Sequence, residues 1–219
     1  TYYHNIVMNR ENMLRSITDQ KDPWDIVIIG GGATGLGIAV DASSRGFSTL
    51  LVEQSDFGKG TSSRSTKLVH GGVRYLAKGD IALVYEGLRE RGLMLRNAPH
   101  LVRNQKFIIP VYTRWDVFLY TAGLKFYDLL AGGLSLGRSR FLSGKDTIKA
   151  LPTLNRKNLK GGILYHDGQF DDTRMLVSLA HTCEDLGGTV LNYMKVTGLI
   201  KDNTEFSEHF QTGKLTGLK

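Results

Sequence analysis

The chain has 219 residues, of which 41% are hydrophobic and 22% charged, and its formal net charge is +7 at pH 7. These values are ordinary for a globular protein with one large domain or two small ones. The positive charge fits an anionic cofactor, an anionic substrate or an anionic membrane surface. Nucleic acid is not an expected partner, because the Lys and Arg residues are scattered and form neither a basic helix nor a recognised motif.

Cysteine and histidine usage excludes two kinds of site. Cys183 is the only cysteine, so no intramolecular disulfide can form and a reducing compartment is favoured. The histidines are not clustered at ligand spacings, so no metal site is expected. No apolar run reaches the roughly 20 residues that a membrane-spanning helix needs. Near the start of the chain, a short helix is predicted from Asn9 to Ile17.

Residues 24–53 predict a strand, a tight turn, a helix and a second strand. An apolar run from Ile26 to Ile29 precedes a glycine-rich turn, and a helical segment from Ala33 to Arg45 follows it. Gly46 is a residue type favoured just past a helix end. A second apolar run, Thr49 to Val52, completes the βαβ unit.

This turn predicts a dinucleotide site. Gly30 permits the tight turn, Gly32 lets a pyrophosphate approach the backbone, and Gly35 lets the helix pack closely on the strand. The helix N-terminus offers N–H groups and a partial positive charge to phosphates. Glu53, about 20 residues further on, is placed to accept hydrogen bonds from a ribose. The alternative is a glycine-rich turn in an ordinary βαβ unit.

A small, hydroxyl-rich and basic loop follows the second strand. It runs from Thr61 to Lys67 and leads into the block His70-Gly71-Gly72-Val73-Arg74-Tyr75. Its small residues would let a ligand approach the backbone, and its hydroxyls can donate to phosphate oxygens. The alternative is a solvated surface loop.

A helix is predicted after this block. Asp80 is a favourable N-cap, and Pro99 ends the helix. Between them, apolar residues recur at helical spacing, at Ile81, Val84, Leu88 and Leu95. The charged residues are interpreted as the solvated face of the helix: Glu86, Arg89, Glu90 and Arg91.

In the glycine-rich turn, the hydroxyl-rich loop and the His70 block, the sequence resembles a known family, the FAD-dependent glycerol-3-phosphate dehydrogenases of the bacterial respiratory and mitochondrial type. The resemblance runs from about Trp24 to about Asp202. The hydroxyl-rich loop and the histidine block are much more specific than the glycine fingerprint. The residues that carry the resemblance are Gly30 to Gly35, Gly60 to Lys67, His70 to Leu76 and Asn97 to His100.

The resemblance implies an α/β fold, with a Rossmann-like FAD-binding domain of the FAD-dependent amino acid oxidase type and part of a β-rich substrate domain. Residues 1–104 would form the first segment of the FAD-binding domain, 105–170 part of the substrate or membrane-side domain, and 171–219 the second FAD-binding segment. Because members of the family are much longer, the chain is expected to be a fragment that lacks strands of its own cofactor domain.

The local pattern after residue 105 predicts several elements. Residues 106–113 read as a strand, and their proline indicates an edge or a bulge. Residues 132–162 read as loops with a short helix near 145–150. A strand is predicted at 163–171, and the helix that follows is expected to bury Cys183.

Residues 115–131 are unusual for their nearly continuous apolar surface. Thr121, Lys125 and Asp128 fall on one polar stripe of the predicted helix, and Arg114, Arg138 and Arg140 flank its ends. An aromatic, basic-flanked helix that is too short to span is typical of a membrane interface. The alternative is a helix buried in a large core. The resemblance implies a peripheral membrane enzyme and therefore favours the interface.

The reaction of the resembling family oxidises the C2 alcohol of sn-glycerol 3-phosphate to dihydroxyacetone phosphate, with FAD as hydride acceptor. It needs cations on the substrate phosphate and a base for the hydroxyl proton. Arg74 is the expected substrate cation, with a surface salt bridge as the alternative, and Tyr75 is a neighbouring donor. His70 is left open between the base and a residue that orients the flavin loop. The residues expected to bind FAD are Gly30, Gly32, Ala33, Thr34, Gly35, Glu53, Thr61, Ser62, Ser63, Lys67, His70, Gly71, Gly72 and Val196.

The resemblance further implies that electrons pass to a respiratory quinone, from a peripheral position on the cytoplasmic face of a bacterial inner membrane. Two other functions stay open. One is a glycerol-3-phosphate oxidase, which shares these motifs and passes electrons to oxygen. The other is a non-catalytic fragment that only binds FAD. The oligomeric state also stays open.

Overall fold

The computed structural model describes residues 9–76, 78–201 and 206–212. The chain divides into two compact units, one made of Thr1–Ser65 and Asp172–Lys219 and the other of Thr66–Asp171. Helices and strands alternate, so the mixed α/β class expected from the sequence is confirmed. Apart from 206–212, the polar tail from 202 to 219 lies outside the described residues.

The first unit is built on a parallel sheet with strand order β1-β2-β7. Strand β1 is Ile26–Ile29, β2 is Thr49–Val52 and β7 is Thr189–Leu191. These short apolar strands are typical of a parallel sheet that helices cover. The helices are α1 (Arg10–Thr18), α2 (Ala33–Ser44) and α7 (Asp172–Asp185). Strands β8 (Met194–Lys201) and β9 (Phe206–Thr212) form an antiparallel pair.

Helix α2 packs closely on the start of the sheet because Gly35 has no side chain. A Cβ at Gly35 would collide with the carbonyl oxygen of Gly30. Gly30 itself has a φ of +115°, which a residue with a side chain rarely adopts. Cys183 of α7 is buried in the same core, as expected, with its Sγ 3.5 Å from Ser43 Oγ. Burial raises the pKa of this thiol, which keeps it protonated.

The second unit is built on an antiparallel sheet around the long strand β6, Gly161–Phe170. Strand β4, Val102–Val111, pairs with β6 along its whole length. On the opposite edge of β6, β3 (Leu68–Val69) pairs with one end and β5 (Arg140–Ser143) with the other. The helices are α3 (Val73–Leu76), α4 (Ile81–Asn97), α5 (Arg114–Ala131) and α6 (Gly144–Ala150).

Most of the predicted elements are present. Helix α2 ends at Ser44, within one residue of its predicted end. The carboxylate of Asp80 accepts a hydrogen bond from Leu83 N at 3.2 Å and caps α4 as predicted. The predicted edge strand is β4, which carries Pro110 and pairs with β6 alone among the described strands.

Two interpretations were wrong. Arg91 is not on a solvated face, because it is 1% exposed and its guanidinium pairs with Asp167. Residues 132–162 are not only loops around a short helix, since 140–143 form β5. Both features depend on a partner in β6, which is far away in the sequence. The domain boundaries stay a prediction: in the contact units, residue 104 lies inside the second unit and the chain returns to the first at Asp172.

Helix α5 has three distinct faces. Leu124, Tyr127 and Ala131 are buried against the second unit's core. The polar stripe turns toward the protein: Lys125 Nζ donates to Ser139 O at 2.6 Å, and Asp128 Oδ2 accepts from Ser139 N at 2.7 Å. The remaining face is the apolar stripe, whose residues are all exposed and share one side of the helix. It comprises Trp115, Phe118, Leu119, Ala122, Phe126 and Leu129.

Helix α5 is therefore not buried on all sides in a core, because its apolar stripe is exposed, and the membrane-interface alternative stays a prediction. Within the described ranges, no helix has the combined length and apolar character that crossing a bilayer requires.

Two leucines of α5 offer a matched test of this orientation. Leu124 is 1% exposed and Leu129 is 74% exposed. We expect Leu124→Ala to lower the free energy of unfolding by about 2–5 kcal/mol, because it leaves a cavity in the core. Leu129→Ala should change it by less than about 0.5 kcal/mol. Urea unfolding followed by circular dichroism measures both, and equal losses would contradict this rotation of α5.

Two glycines of α2 test the close packing of this helix. We expect Gly35→Ala to destabilise the fold by about 1–3 kcal/mol, because the new methyl group meets the Gly30 carbonyl. A Cβ at Gly37 would meet no atom within 4 Å beyond its own helix, so Gly37→Ala should stabilise the helix by about 0.5–1 kcal/mol. Thermal unfolding of the two variants should therefore shift in opposite directions. A stabilising Gly35→Ala would refute the close approach.

Candidate functional site

The first unit presents a glycine corner, which is the turn Gly30–Gly32 and the first turn of α2. Gly32 is the N-cap of α2, and because it has no side chain it makes no capping hydrogen bond to the N–H groups of the first turn. Gly30 N donates to Val52 O at 2.8 Å, which ties the corner to β2. Ala33 and Thr34 are exposed at the helix start. The partial positive charge of a helix N-terminus is therefore accessible here.

Glu53 follows β2 and braces this corner. Its Oε2 accepts from Gly31 N at 2.7 Å, and its Oε1 accepts from Ser55 N at 2.8 Å. Each carboxylate oxygen can accept a second hydrogen bond, so the group still has acceptor capacity for ribose hydroxyls. The backbone of Glu53 accepts from Met194 N at 2.8 Å, two residues before Val196. Val196 lies in β8 and packs partly buried against the first core.

The hydroxyl-rich loop also reaches the corner. Thr61–Ser63 form one turn of 3-10 helix, and Ser62 Oγ accepts from Ala33 N at 3.0 Å. A Cβ at Gly32 would lie 3.1 Å from the same Oγ. The structure thus brings Gly30, Gly32, Ala33, Gly35, Glu53 and Ser62 together, with Thr34, Thr61 and Ser63 as direct chain neighbours of that set.

The second unit contains a cavity of about 530 Å³ that holds the predicted substrate-side residues. His70, Arg74 and Tyr75 all line it, together with Gly72. One-turn helix α3 carries Arg74 and Tyr75, and both side chains are exposed. Lys67 lines a different cavity, of about 450 Å³, with His100 and Arg103. Gly71 is buried and lines neither.

The charge in the 530 Å³ cavity is mixed. Arg74 and Lys78 supply cations, and Asp167 supplies a carboxylate that is 3% exposed. Burial and then the Asp167 charge raise the pKa of Tyr165, while Arg74 lowers it by a smaller amount. Tyr165 therefore keeps its proton and remains a hydrogen-bond donor at neutral pH.

Sequence reasoning missed the far wall of this cavity. Phe107, Tyr165 and Asp167 line it from β4 and β6, and the rings of Phe107 and Tyr165 stack at 5.4 Å. Both strands were predicted, and alternation along a strand places residues 165 and 167 on the same face. The missing information was the register that sets Tyr165 opposite Phe107.

The turn between β3 and α3 determines how His70 is presented. Gly72 has a φ of +72°, and Gly72 N donates to His70 Nδ1 at 3.0 Å. In a neutral imidazole, a nitrogen that accepts a hydrogen bond is unprotonated, and the other nitrogen carries the proton. When the imidazole of His70 is neutral, Nε2–H is therefore the donor that remains on the ring.

Sequence similarity to known proteins agrees with this geometry. Residues 25–214 match the model of the family FAD dependent oxidoreductase. The chain is 48% identical over 200 residues to the mitochondrial glycerol-3-phosphate dehydrogenase of Schizosaccharomyces pombe. This alignment covers 88% of the chain and 31% of that protein. It is 44% identical over 214 residues to the human mitochondrial enzyme, covering 94% of the chain and 29% of that protein.

Solved structures give the same result. The glycerol-3-phosphate dehydrogenase of Bacillus halodurans complexed with FAD has a TM-score of 0.67 and 31% identity, covering 93% of the chain and 33% of that protein. The L-α-glycerophosphate oxidase of Mycoplasma pneumoniae has a TM-score of 0.63 at 18% identity and supports the fold alone. The chain therefore belongs to the FAD-dependent oxidoreductase family, whose α/β fold and FAD cofactor its sequence predicts.

Proposed function

We propose that this chain supplies FAD-binding and substrate-binding elements to an enzyme that oxidises sn-glycerol 3-phosphate to dihydroxyacetone phosphate. One observation carries the proposal: His70, Arg74 and Tyr75 line a single cavity in a chain with this family membership. The proposed substrate is inferred from the names of the relatives, which are glycerol-3-phosphate dehydrogenases. The chain spans 31% of the Schizosaccharomyces pombe relative, so the activity belongs to the proposal.

The glycine corner fits the dinucleotide part of FAD. The backbone of Gly30–Gly32 would face the pyrophosphate at the start of α2, beside the Ser62 hydroxyl that accepts from Ala33 N. Glu53 would accept from the ribose, and the backbone near Val196 would meet the adenine. Thr61, Ser62, Ser63, Lys67 and Gly72 would serve the pyrophosphate and the flavin, whereas Gly71, whose buried N–H is bonded to Tyr127, would shape the turn. When bound, FAD supplies the acceptor for the hydride from the substrate carbon.

The cavity around Arg74 fits a small phosphorylated alcohol. The guanidinium fork can donate two parallel hydrogen bonds to a phosphate group, with Tyr75 as a neighbouring donor. Lys78 adds a second cation in the same wall. The Nε2–H of His70 favours the orienting role over that of the base, because it offers a donor where a base needs a lone pair.

We further propose that α5 binds a membrane surface and that the electrons pass to quinone. The apolar stripe is opposite the buried face of α5. Exposed Arg114 begins the helix, and exposed Arg138 and Arg140 adjoin Ser139, whose backbone is bonded to Lys125 and Asp128. An apolar stripe flanked by cations is what an interfacial helix needs in order to bind anionic lipid. The relatives with 48% and 44% identity are named mitochondrial, which favours a mitochondrial membrane over the bacterial inner membrane predicted from the sequence.

Removing the guanidinium of Arg74 tests the substrate assignment. In the full-length FAD-loaded protein, we expect Arg74→Ala to lower kcat/KM for sn-glycerol 3-phosphate about 10- to 100-fold, since hydrogen bonds to charged groups contribute about 1.5–3 kcal/mol. For glycerol, which has no phosphate, kcat/KM should stay unchanged. Anaerobic dye reduction measures the turnover, and peroxide yield in air separates a dehydrogenase from an oxidase.

The matched control is Arg96→Ala, which removes an exposed arginine from the last turn of α4. It should leave both substrates unaffected. Equal losses for sn-glycerol 3-phosphate and glycerol in Arg74→Ala would contradict a phosphate contact.

Two glutamates in the apolar stripe test membrane binding. We expect Phe118→Glu plus Leu119→Glu to weaken pelleting with vesicles of anionic phospholipid about 10-fold or more, because burying each apolar side chain contributes about 1.5–3 kcal/mol. Phe47→Glu plus Leu199→Glu is the control, since these residues are 47% and 60% exposed but belong to the first unit. Unchanged pelleting of a folded Phe118 and Leu119 variant would count against the proposal.

A further inference from the structure

A buried polar cluster lies beneath the His70 block in the second unit. Arg91 of α4, Tyr127 of α5 and Asp167 of β6 are 1%, 2% and 3% exposed. Arg91 Nη1 donates to Asp167 Oδ1 at 2.9 Å, and Tyr127 Oη donates to Asp167 Oδ2 at 2.9 Å. A buried ion pair is weak evidence for a role in stability, because desolvation offsets much of the attraction. The cluster therefore needs another explanation.

The cluster holds one backbone amide of the functional turn. Gly71 N donates to Tyr127 Oη at 2.9 Å and more weakly to Asp167 Oδ1 at 3.3 Å. Burial and the Asp167 charge raise the pKa of Tyr127, so its proton stays directed at the carboxylate and its lone pair stays available to Gly71. A Cβ at Gly71 would lie 2.5 Å from the side chain of Leu88 and 2.6 Å from Tyr127 Oη, so the turn packs directly on both side chains.

The next amide of the same turn fixes the histidine. Gly72 N donates to His70 Nδ1 at 3.0 Å. The direction of this N–H depends on the orientation of the peptide between Gly71 and Gly72, and Gly71 is held from below by Tyr127 and Asp167. Two successive amides therefore connect the buried cluster to the imidazole that lines the cavity.

We propose that Arg91, Tyr127 and Asp167 are positioning residues that fix the His70–Gly72 turn and thereby select the Nε2–H tautomer of His70. Asp167 orders the phenol, the phenol holds Gly71, and Gly72 then occupies Nδ1. Arg91 balances the carboxylate charge that this arrangement needs, and its Nη1 is also 3.4 Å from His166 O on β6. The consequence for turnover rests on the proposed function, whereas the tautomer does not.

The test uses the full-length holoenzyme with ¹⁵N-labelled histidine. Long-range ¹H–¹⁵N correlation spectra report which ring nitrogen carries the proton, and His70→Gln assigns the His70 signals. In the unmodified protein we expect a single Nε2–H tautomer. In Tyr127→Phe, which keeps the ring and removes only the hydroxyl, we expect a mixture of tautomers. We also expect kcat to fall about 10-fold or more, because a misplaced site group slows turnover, with KM changed less than about 2-fold.

Tyr112→Phe is the matched control, because its hydroxyl donates to Asn155 O at 3.3 Å outside the cavity and the cluster. It should leave the spectrum and kcat unchanged. Asp167→Asn is the second variant if Tyr127→Phe does not fold, and it should also mix the tautomers. If neither variant folds, the unmodified protein decides: an Nδ1–H tautomer there overturns the proposal, and a single Nε2–H tautomer supports it.

The possible failures are distinguishable. A folded Tyr127→Phe with a pure Nε2–H tautomer and unchanged kcat overturns the positioning role. A tautomer mixture in Tyr127→Phe, together with an unmodified protein that never oxidises sn-glycerol 3-phosphate, supports the positioning role and rejects the proposed function. The spectrum requires no substrate, so it reports the effect of the cluster on the His70 tautomer independently of the reaction.

Discussion

The second unit depends on one buried carboxylate. Asp167 lies on the central strand β6 at 3% exposure, and a charge in that position is tolerated only when it is paired and hydrogen-bonded. Its partners are Arg91 from α4, Tyr127 from α5 and the amide of Gly71. Two helices and one loop thus meet the sheet where this single side chain requires them, which gives the 530 Å³ cavity a fixed wall.

The first unit depends on a steric constraint instead. Helix α2 approaches the sheet so closely that a side chain at Gly35 has no room beside the Gly30 carbonyl. The polar contacts follow from that approach, since Glu53 accepts from Gly31 N and Ser62 accepts from Ala33 N. The residues proposed to receive the dinucleotide are therefore also the residues that shape the corner.

Sequence reasoning succeeded where the signal is local. The helix of the βαβ unit, the Asp80 cap and the edge strand with Pro110 all follow from neighbouring residues. It failed for Arg91, which was assigned to the solvated face because it is charged, although its spacing places it on the apolar face of α4 between Leu88 and Leu95. It also failed for β5, because four residues in a polar region become a strand only when β6 is beside them. The far wall of the cavity required a strand register that no local pattern contains.

The exposed apolar stripe of α5 is linked to the same carboxylate. Successive residues of a helix are rotated by about 100° around its axis, so a different rotation of α5 would take the Tyr127 hydroxyl away from Asp167. Burial of apolar area alone would favour turning Phe118 and Leu129 inward and Lys125 and Asp128 outward. In the structure Phe118 and Leu129 are exposed instead, Tyr127 donates to Asp167, and the backbone of Ser139 is bonded to Lys125 and Asp128. The Tyr127–Asp167 contact in the buried cluster therefore also helps to set which side chains of α5 are exposed.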